Sequence, residues 1–154
     1  MLEKNELESK SEEELRKLSL ELRYLEQTAE ALQQRVGMVN TVIADLTYAR
    51  MALEGVEKEK EGTELLVPIG GSSYVKAKLA ATDKIIVGMG AGVSVEKTVP
   101  EAKELIKKRL EDLEKSRLAL QQQFTQVADK ITQDRQKFES LAAPMREEKA
   151  PGNV

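Results

Sequence analysis

Apolar residues recur with the three-four spacing of a coiled coil in two long segments, and the segment between them lacks that spacing. The first segment is predicted as helix over residues 11–56, with two apolar series that alternate without slip for five heptads. Its predicted seam residues are Leu15, Leu18, Leu22, Leu25, Ala29, Leu32, Val36, Val39, Ile43, Leu46 and Leu53. Such a helix needs a second helix to cover its apolar stripe.

The second segment is predicted as helix over residues 98–143. Thr98 and Glu101 form a capping-box pattern, and Pro100 lies in the first turn, where its missing N–H does no harm. Its seam series is Ile106, Leu110, Leu113, Leu120, Phe124, Val127, Ile131, Phe138, Leu141 and Met145, with Arg117 and Asp134 as polar members. Two helices of ~40 residues, each about 60 Å long, are expected to pair antiparallel.

The central segment, residues 64–97, alternates apolar and polar residues with the period of β-strands. Gly70–Ser73 has the composition of a tight turn, and Gly90–Gly92 is a second glycine-rich turn, so two β-hairpins are predicted. Pro68 predicts an edge strand or a bulge. The apolar strand residues are Leu65, Val67, Ile69, Val75, Ala77, Leu79, Ile85, Val87, Val93 and Val95.

Two isolated hairpins are marginally stable, and their edges are open to pairing with other chains. The hairpins are therefore predicted to form an oligomerisation platform, in which strands of several subunits co-assemble into an intersubunit β-barrel. The alternative is a small β cap that folds back on the helices of its own chain. The predicted fold class is mainly α with a small β region: a long antiparallel coiled-coil hairpin joined by two central β-hairpins.

Three further segments complete the predicted organisation. Residues 1–10 are expected to be flexible, with Ser11 and Glu14 as a capping box that starts the first helix. Residues 57–63, whose charges alternate in sign, are predicted as a solvated linker rather than a metal site. Residues 144–154 are predicted as a disordered tail, with Pro144 ending or kinking the helix.

The composition argues against an enzyme. The chain has no His and no Cys, which removes the usual general base, the commonest metal ligand and any thiol nucleophile. A glycine run at Gly88–Gly92 leads into a strand, whereas the dinucleotide fingerprint leads into a helix. We therefore expect no catalytic residue, no cofactor and no metal.

Charge and hydropathy limit the expected partners. The net charge is −3, which argues against nucleic acid as the main partner. No apolar run approaches the ~20 residues of a membrane span, and the acidic N-terminus does not resemble a signal peptide. A cytoplasmic location and no membrane partner are expected.

The helix ends that carry the chain termini form a candidate binding surface. Fraying there would expose apolar side chains on a charged frame, which suits adaptable contacts of low specificity. The candidate residues are Leu15, Leu18, Leu20, Leu22, Phe138, Leu141, Ala142 and Met145. The alternative is that these residues simply close the coiled coil.

The central segment also carries a resemblance to a known family. Gly55, Glu64–Gly71, Tyr74–Val75, Ile85–Val93 and Val95–Glu96 resemble the centre of prefoldin alpha subunits of the archaeal type, and the flanking coiled-coil segments extend the resemblance to nearly the whole chain. The resemblance implies an ATP-independent holdase. In that family two alpha and four beta subunits form a double β-barrel that carries six coiled coils. The coiled-coil tips bind non-native client proteins and pass them to a group II chaperonin.

Two other functions remain open from the residues alone. One is a structural coiled-coil spacer that tethers other proteins without binding clients. The other is a helical arm that binds RNA, although Lys and Arg are interleaved with Glu and Asp rather than gathered in a basic stripe.

Overall fold

The computed structural model describes residues 1–81, 83–149 and 152. Two long helices flank two short antiparallel hairpins, so the predicted mainly α class is confirmed. In chain order the elements are α1 (Leu2–Glu57), β1 (Glu64–Gly70), β2 (Ser73–Lys78), β3 (Lys84–Gly90), β4 (Val93–Thr98) and α2 (Val99–Lys149).

The chain divides into two compact units. The first, here called the terminal unit, contains residues 1–38 and 117–154, and the second, the hairpin unit, contains residues 39–116. Among the described residues of the terminal unit, three ion pairs join the helices: Lys4 with Glu148, Glu21 with Lys130, and Glu26 with Arg135. The pair nearest the N-terminus involves the residue nearest the C-terminus, so α1 and α2 run antiparallel there.

The hairpin unit has a small apolar core between the helix ends and the second hairpin. Leu53 of α1, Val87 of β3, and Ala102 and Ile106 of α2 are its buried members. Partly buried residues pack around them: Leu46, Ala49, Ile85, Leu105 and Leu110. This core packs β3 against the helices of the same chain.

The two hairpins repeat one another with an offset of twenty residues. Val67 pairs with Val75 in the first hairpin, and Val87 pairs with Val95 at the same register in the second. Each hairpin has a register shift two residues before its turn. The first lies between Pro68 and Gly70, in the strand for which Pro68 predicts an edge position or a bulge, and the second lies between Gly88 and Gly90, where there is no proline. The central turn residues all have positive φ, as type I′ turns require: Gly71 and Ser72, then Ala91 and Gly92.

The start of α2 follows the predicted capping box. The Glu101 backbone N–H donates to Oγ1 of Thr98 at 3.3 Å, and the Thr98 N–H donates to Oε2 of Glu101 at 3.2 Å. Two of the helix's free N–H groups are thereby satisfied reciprocally. The helix begins in the residue after β4 ends, so the second hairpin is joined to α2 without a linker.

The ends of the helical segments differ from the prediction. Helix α1 begins at Leu2, and Ser11 lies inside it, so the predicted capping box at Ser11 is wrong. The first residues are mostly good helix formers, and an ion pair of Lys4 with Glu148 joins them to α2. Prediction from periodicity missed this because Leu2 and Leu7 alone do not form an apolar stripe.

Helix α2 continues through Pro144 to Lys149, so the predicted end near 143 is also wrong. Pro144 has no N–H to donate to the carbonyl of Ser140, but Ser140 is exposed and water can take the donor's place. The rest of the predicted tail, residues 150, 151, 153 and 154, lies outside the described residues.

Candidate functional surfaces

The described residues contain no group of three or more carboxylates or other ligands placed to hold a metal ion. Nor is any described helix long and apolar enough to cross a membrane. The described residues do present apolar surfaces: one on the hairpins and one at the helix ends that carry the termini.

The two hairpins share a register and differ in the exposure of their central valines. Val87 of the second hairpin is 7% exposed, whereas Val67, at the equivalent position of the first, is 43% exposed. Leu66 and Ile69 are also exposed on β1, as are Tyr74 and Val75 on β2. The first hairpin therefore presents apolar side chains that its own helices do not cover.

The predicted platform residues fall into three groups by burial. Val87 alone is buried. The partly buried members are Leu65, Ala77, Leu79, Ile85 and Val95, and the exposed members are Val67, Ile69, Val75 and Val93. Leu79 follows β2, and its N–H donates to the carbonyl of Thr63 at 2.8 Å, which extends the first hairpin's hydrogen bonding by one step.

The described strands form two separate two-stranded sheets, so β1, β2, β3 and β4 each have one unpaired edge. Unpaired backbone N–H and C=O groups beside exposed apolar side chains are a template for pairing with another strand. Both hairpins combine these features, since Ile86, Met89 and Val93 of the second hairpin are exposed as well. The first hairpin differs in that its central valines, Val67 and Val75, are also exposed. We name it, residues 64–78, the open hairpin.

The candidate tip residues all belong to the terminal unit, on the parts of α1 and α2 toward the chain termini. Leu18 and Ala142 are buried, while Leu20 is 60% exposed. The other members are partly buried: Leu15, Leu22, Phe138, Leu141 and Met145. We name this set the tip cluster.

Open grooves run along the tip cluster on two sides. One is lined by Leu15, Phe138, Ala142 and Met145, with Arg146 and Lys149 at its rim. The other is lined by Leu141 and Met145 together with residues that sequence reasoning missed: Leu7, Ser11 and Pro144. Leu7 belongs to the surface because α1 extends to Leu2, and the only sequence signal for it was local helix propensity.

The remaining predicted seam residues do not belong to the tip cluster. Leu32, Leu53 and Ile106 are buried. The others are partly buried: Leu25, Ala29, Val36, Val39, Ile43, Leu46, Leu110, Leu113, Leu120, Phe124, Val127 and Ile131. Asp134, a polar member of the α2 series, has a fully buried side chain. Burial of these positions is what a narrow coiled-coil seam requires, because each helix offers one stripe to the other.

Charged side chains surround the apolar surfaces and pair with one another. Glu13 and Lys17 form an i,i+4 pair at 2.9 Å, and their hydrogen bond lowers the pKa of the Glu13 carboxyl and raises the pKa of the Lys17 ammonium. Hydrogen bonds to Asp134 and then to Glu21 raise the pKa of Lys130. These pairs keep the surface solvated and close to neutral around the tip cluster.

Comparison with known proteins agrees with this architecture. Residues 25–143 match the family model of prefoldin subunits. The chain is 37% identical over 121 residues to prefoldin subunit alpha of Methanococcoides burtonii, covering 79% of this chain and 88% of the relative. It is 34% identical over 137 residues to the subunit of the same name from Methanosarcina acetivorans, covering 87% and 94%.

A solved structure has the same fold. A cryo-EM structure of filamentous PFD from Methanocaldococcus jannaschii superposes with a TM-score of 0.65 at 28% identity, covering 75% of this chain and 95% of the other. The resemblance drawn from the central residues is thereby confirmed. With a family model matched over most of its length and alpha-subunit relatives above 30% identity, the chain belongs to the prefoldin family of chaperone subunits.

Proposed function

We propose that this chain is an alpha subunit that acts as an ATP-independent holdase, with the tip cluster as its client-binding surface. The observation that carries the proposal is a cluster of partly buried apolar side chains between open grooves, at the helix ends of a prefoldin-family chain. In this proposal the protein is cytoplasmic, has no nucleic-acid or membrane partner, and passes its clients to a group II chaperonin. It is not an enzyme and needs no cofactor.

The composition of the tip cluster supports binding without sequence specificity. Met145 and the leucines are flexible and adapt to differently shaped apolar segments. The ends of a helix pair open more readily than its middle, because fewer contacts hold them. Opening would expose Leu18 and Ala142, which are buried in the closed pair.

The open hairpin supports assembly with other subunits. Its exposed apolar residues would be covered, and its unpaired edges completed, by strands of neighbouring subunits in a shared β-barrel. The partners in this proposal are prefoldin beta subunits, with two alpha and four beta subunits in the complex. A relative that is filamentous makes self-assembly the competing arrangement.

Native mass spectrometry of the purified chain, with and without a beta subunit, separates these arrangements. A defined hetero-oligomer that forms only when the beta subunit is present supports the proposed hexamer. A polydisperse series of the chain alone supports self-assembly through the same hairpin. A folded monomer that does not bind the beta subunit contradicts both arrangements.

The client-binding surface is tested by removing it. We expect deletion of residues 1–20 and 139–154 to leave the assembly intact and to reduce suppression of the aggregation of a chemically unfolded model protein. A milder variant, Leu20→Glu with Met145→Glu, keeps the helices and makes the same test without truncation. The matched control is Leu118→Glu, since Leu118 is 53% exposed but lies outside the tip cluster. Full suppression by both tip variants would refute the assignment.

The spacer function predicts a different outcome. A spacer would bind folded and unfolded forms of a protein equally, whereas a holdase prefers the unfolded form. A pull-down with one model protein, offered native and urea-unfolded, distinguishes the two functions.

A further inference from the structure

Asp134 places a carboxylate where the seam of the helix pair requires an apolar side chain. Its side chain has no exposed surface, and its Oδ1 lies 2.6 Å from Nζ of Lys130. The second oxygen, Oδ2, is buried without a hydrogen-bond partner among the described residues. A buried carboxylate oxygen without a donor destabilises the closed helix pair, because water satisfied it before burial.

Asp134 lies next to the tip cluster along the helix pair. Phe138 of the tip cluster follows it by one helical turn on the same face. Across the seam, the ion pairs of Glu21 with Lys130 and Glu26 with Arg135 place the α1 segment 21–26 opposite it. Asp134 therefore lies at the inner boundary of the tip cluster.

The ion pair of Asp134 is organised so that separation of the helices does not break it. Lys130 and Asp134 lie four residues apart on α2, so their contact survives when α1 moves away. The contact from Lys130 to α1 is a 3.2 Å pair with Glu21, in which both side chains are more than a third exposed. Such an exposed pair contributes little, because solvent screens it.

We propose that Asp134 is the point at which the terminal end of the helix pair opens as a unit. Opening hydrates Oδ2, keeps the carboxylate paired with Lys130, and exposes the tip cluster. The seam on the other side of Asp134, at Ile131 and Val127, is apolar and stays closed. The length of the mobile tip is then set by one buried carboxylate rather than by gradual fraying.

Hydrogen exchange followed by mass spectrometry tests this inference on the full-length chain in its native assembly. Asp134→Leu completes the apolar seam, and we expect exchange to slow by roughly tenfold or more in residues 138–149 and 2–20, with little change beyond them. Asp134→Asn keeps a buried polar group, so exchange in the same segments should stay close to that of the unaltered protein.

A second variant separates local from general stabilisation. Gly37→Ala removes a helix-weakening glycine where an added Cβ meets nothing within 4 Å, so it stabilises α1 away from the tip. It should leave exchange of the tip segments unchanged. The inference is overturned if Asp134→Leu leaves tip exchange unchanged, if it slows exchange no more than Gly37→Ala does, or if Asp134→Asn slows it equally.

The link between opening of the helix pair and client binding rests on the proposed function. A wrong opening point and a wrong link to client binding give different experimental results. If Asp134→Leu slows tip exchange and also reduces suppression of aggregation, opening and holdase activity are linked. If exchange slows while suppression is unchanged, the opening point stands and client binding does not require opening. The tip cluster as the client-binding surface is then decided by the Leu20→Glu with Met145→Glu variant.

Discussion

Single ion pairs along the helices have a predictable pH dependence, and Lys103 offers the clearest case. Its Nζ lies 2.8 Å from Oε2 of Glu57, joining α2 to the last residue of α1. The hydrogen bond that Lys103 donates to Glu57 raises the pKa of Lys103 above its ordinary value of 10.5, against the opposing effect of desolvation. Because the folded-state pKa is the higher one, the stabilisation is fully present below about pH 10.5 and is lost as pH rises through the folded pKa.

We therefore expect Lys103→Met to lower the thermal unfolding midpoint slightly at about pH 9 and to change it less at a pH above the folded-state pKa of Lys103, where the unaltered protein has lost the charge as well. Circular dichroism at both pH values measures the difference. Lys107→Met is the matched control, since Lys107 is exposed on the same helix and makes no ion pair with the described residues. An equal effect of Lys103→Met at both pH values would contradict the assignment.

Sequence reasoning succeeded at the residue scale where the determinant is local. Thr98 and Glu101 are three residues apart, and the capping box needs nothing beyond that spacing. Asp134 could be identified as a polar member of the seam series, but its complete burial could not. Whether a seam carboxylate reaches solvent depends on the opposite helix and on how closely the two helices approach.

At the scale of elements, each hairpin depends on backbone conformations that glycine adopts without strain. Gly92 has a φ of +76° in the turn between β3 and β4, whereas the φ of Gly88 in β3 lies outside the left-handed range. An added Cβ meets nothing within 4 Å at either position. We expect Gly92→Ala to reduce the free energy of unfolding by about 1–2 kcal/mol, because Cβ strains the left-handed conformation. Gly88→Ala should be close to neutral.

Chemical denaturation of the two variants checks this prediction, because both carry the same substitution in the same hairpin and differ in backbone conformation. A loss of similar size in both would indicate that β3–β4 packing, rather than the turn, responds to the added methyl group. No loss in either would mean that the turn adopts another conformation at little cost.

The middles of the elements were predictable and their ends were not. The hairpins follow from period-2 alternation and from the turn residues at Gly71 and Gly92, which are local signals. The start of α1 at Leu2 and the passage of α2 through Pro144 were missed, because each end is stabilised by features that periodicity does not report. These features are helix propensity, one ion pair to the other helix, and solvent at an exposed carbonyl.

At the scale of the whole molecule, the two hairpins share a register and have different environments. Sequence analysis predicted one platform from both, because Val67 and Val87 stand in the same alternating pattern. It could not reveal that β3 packs into the core formed by Leu53, Ala102 and Ile106 while β1 stays exposed. The core contact of Val87 is what a cap on the chain's own helices requires, whereas Val67 of the open hairpin is exposed. Ile86, Met89 and Val93 of the second hairpin are exposed too, so both alternatives stay open for that hairpin.

This division predicts opposite consequences for one substitution made at the two equivalent positions. Val87→Asp buries a charge in the hairpin-unit core, so we expect it to cost more than about 3 kcal/mol in the free energy of unfolding. Val67 lies on the exposed face of the open hairpin. We therefore expect Val67→Asp to change the free energy of unfolding by less than about 1 kcal/mol and to abolish assembly. Chemical denaturation measures the first effect and native mass spectrometry the second. If Val67→Asp assembles as the unaltered chain does, the open hairpin is not the assembly surface, since a buried barrel strand cannot accept an unpaired carboxylate there.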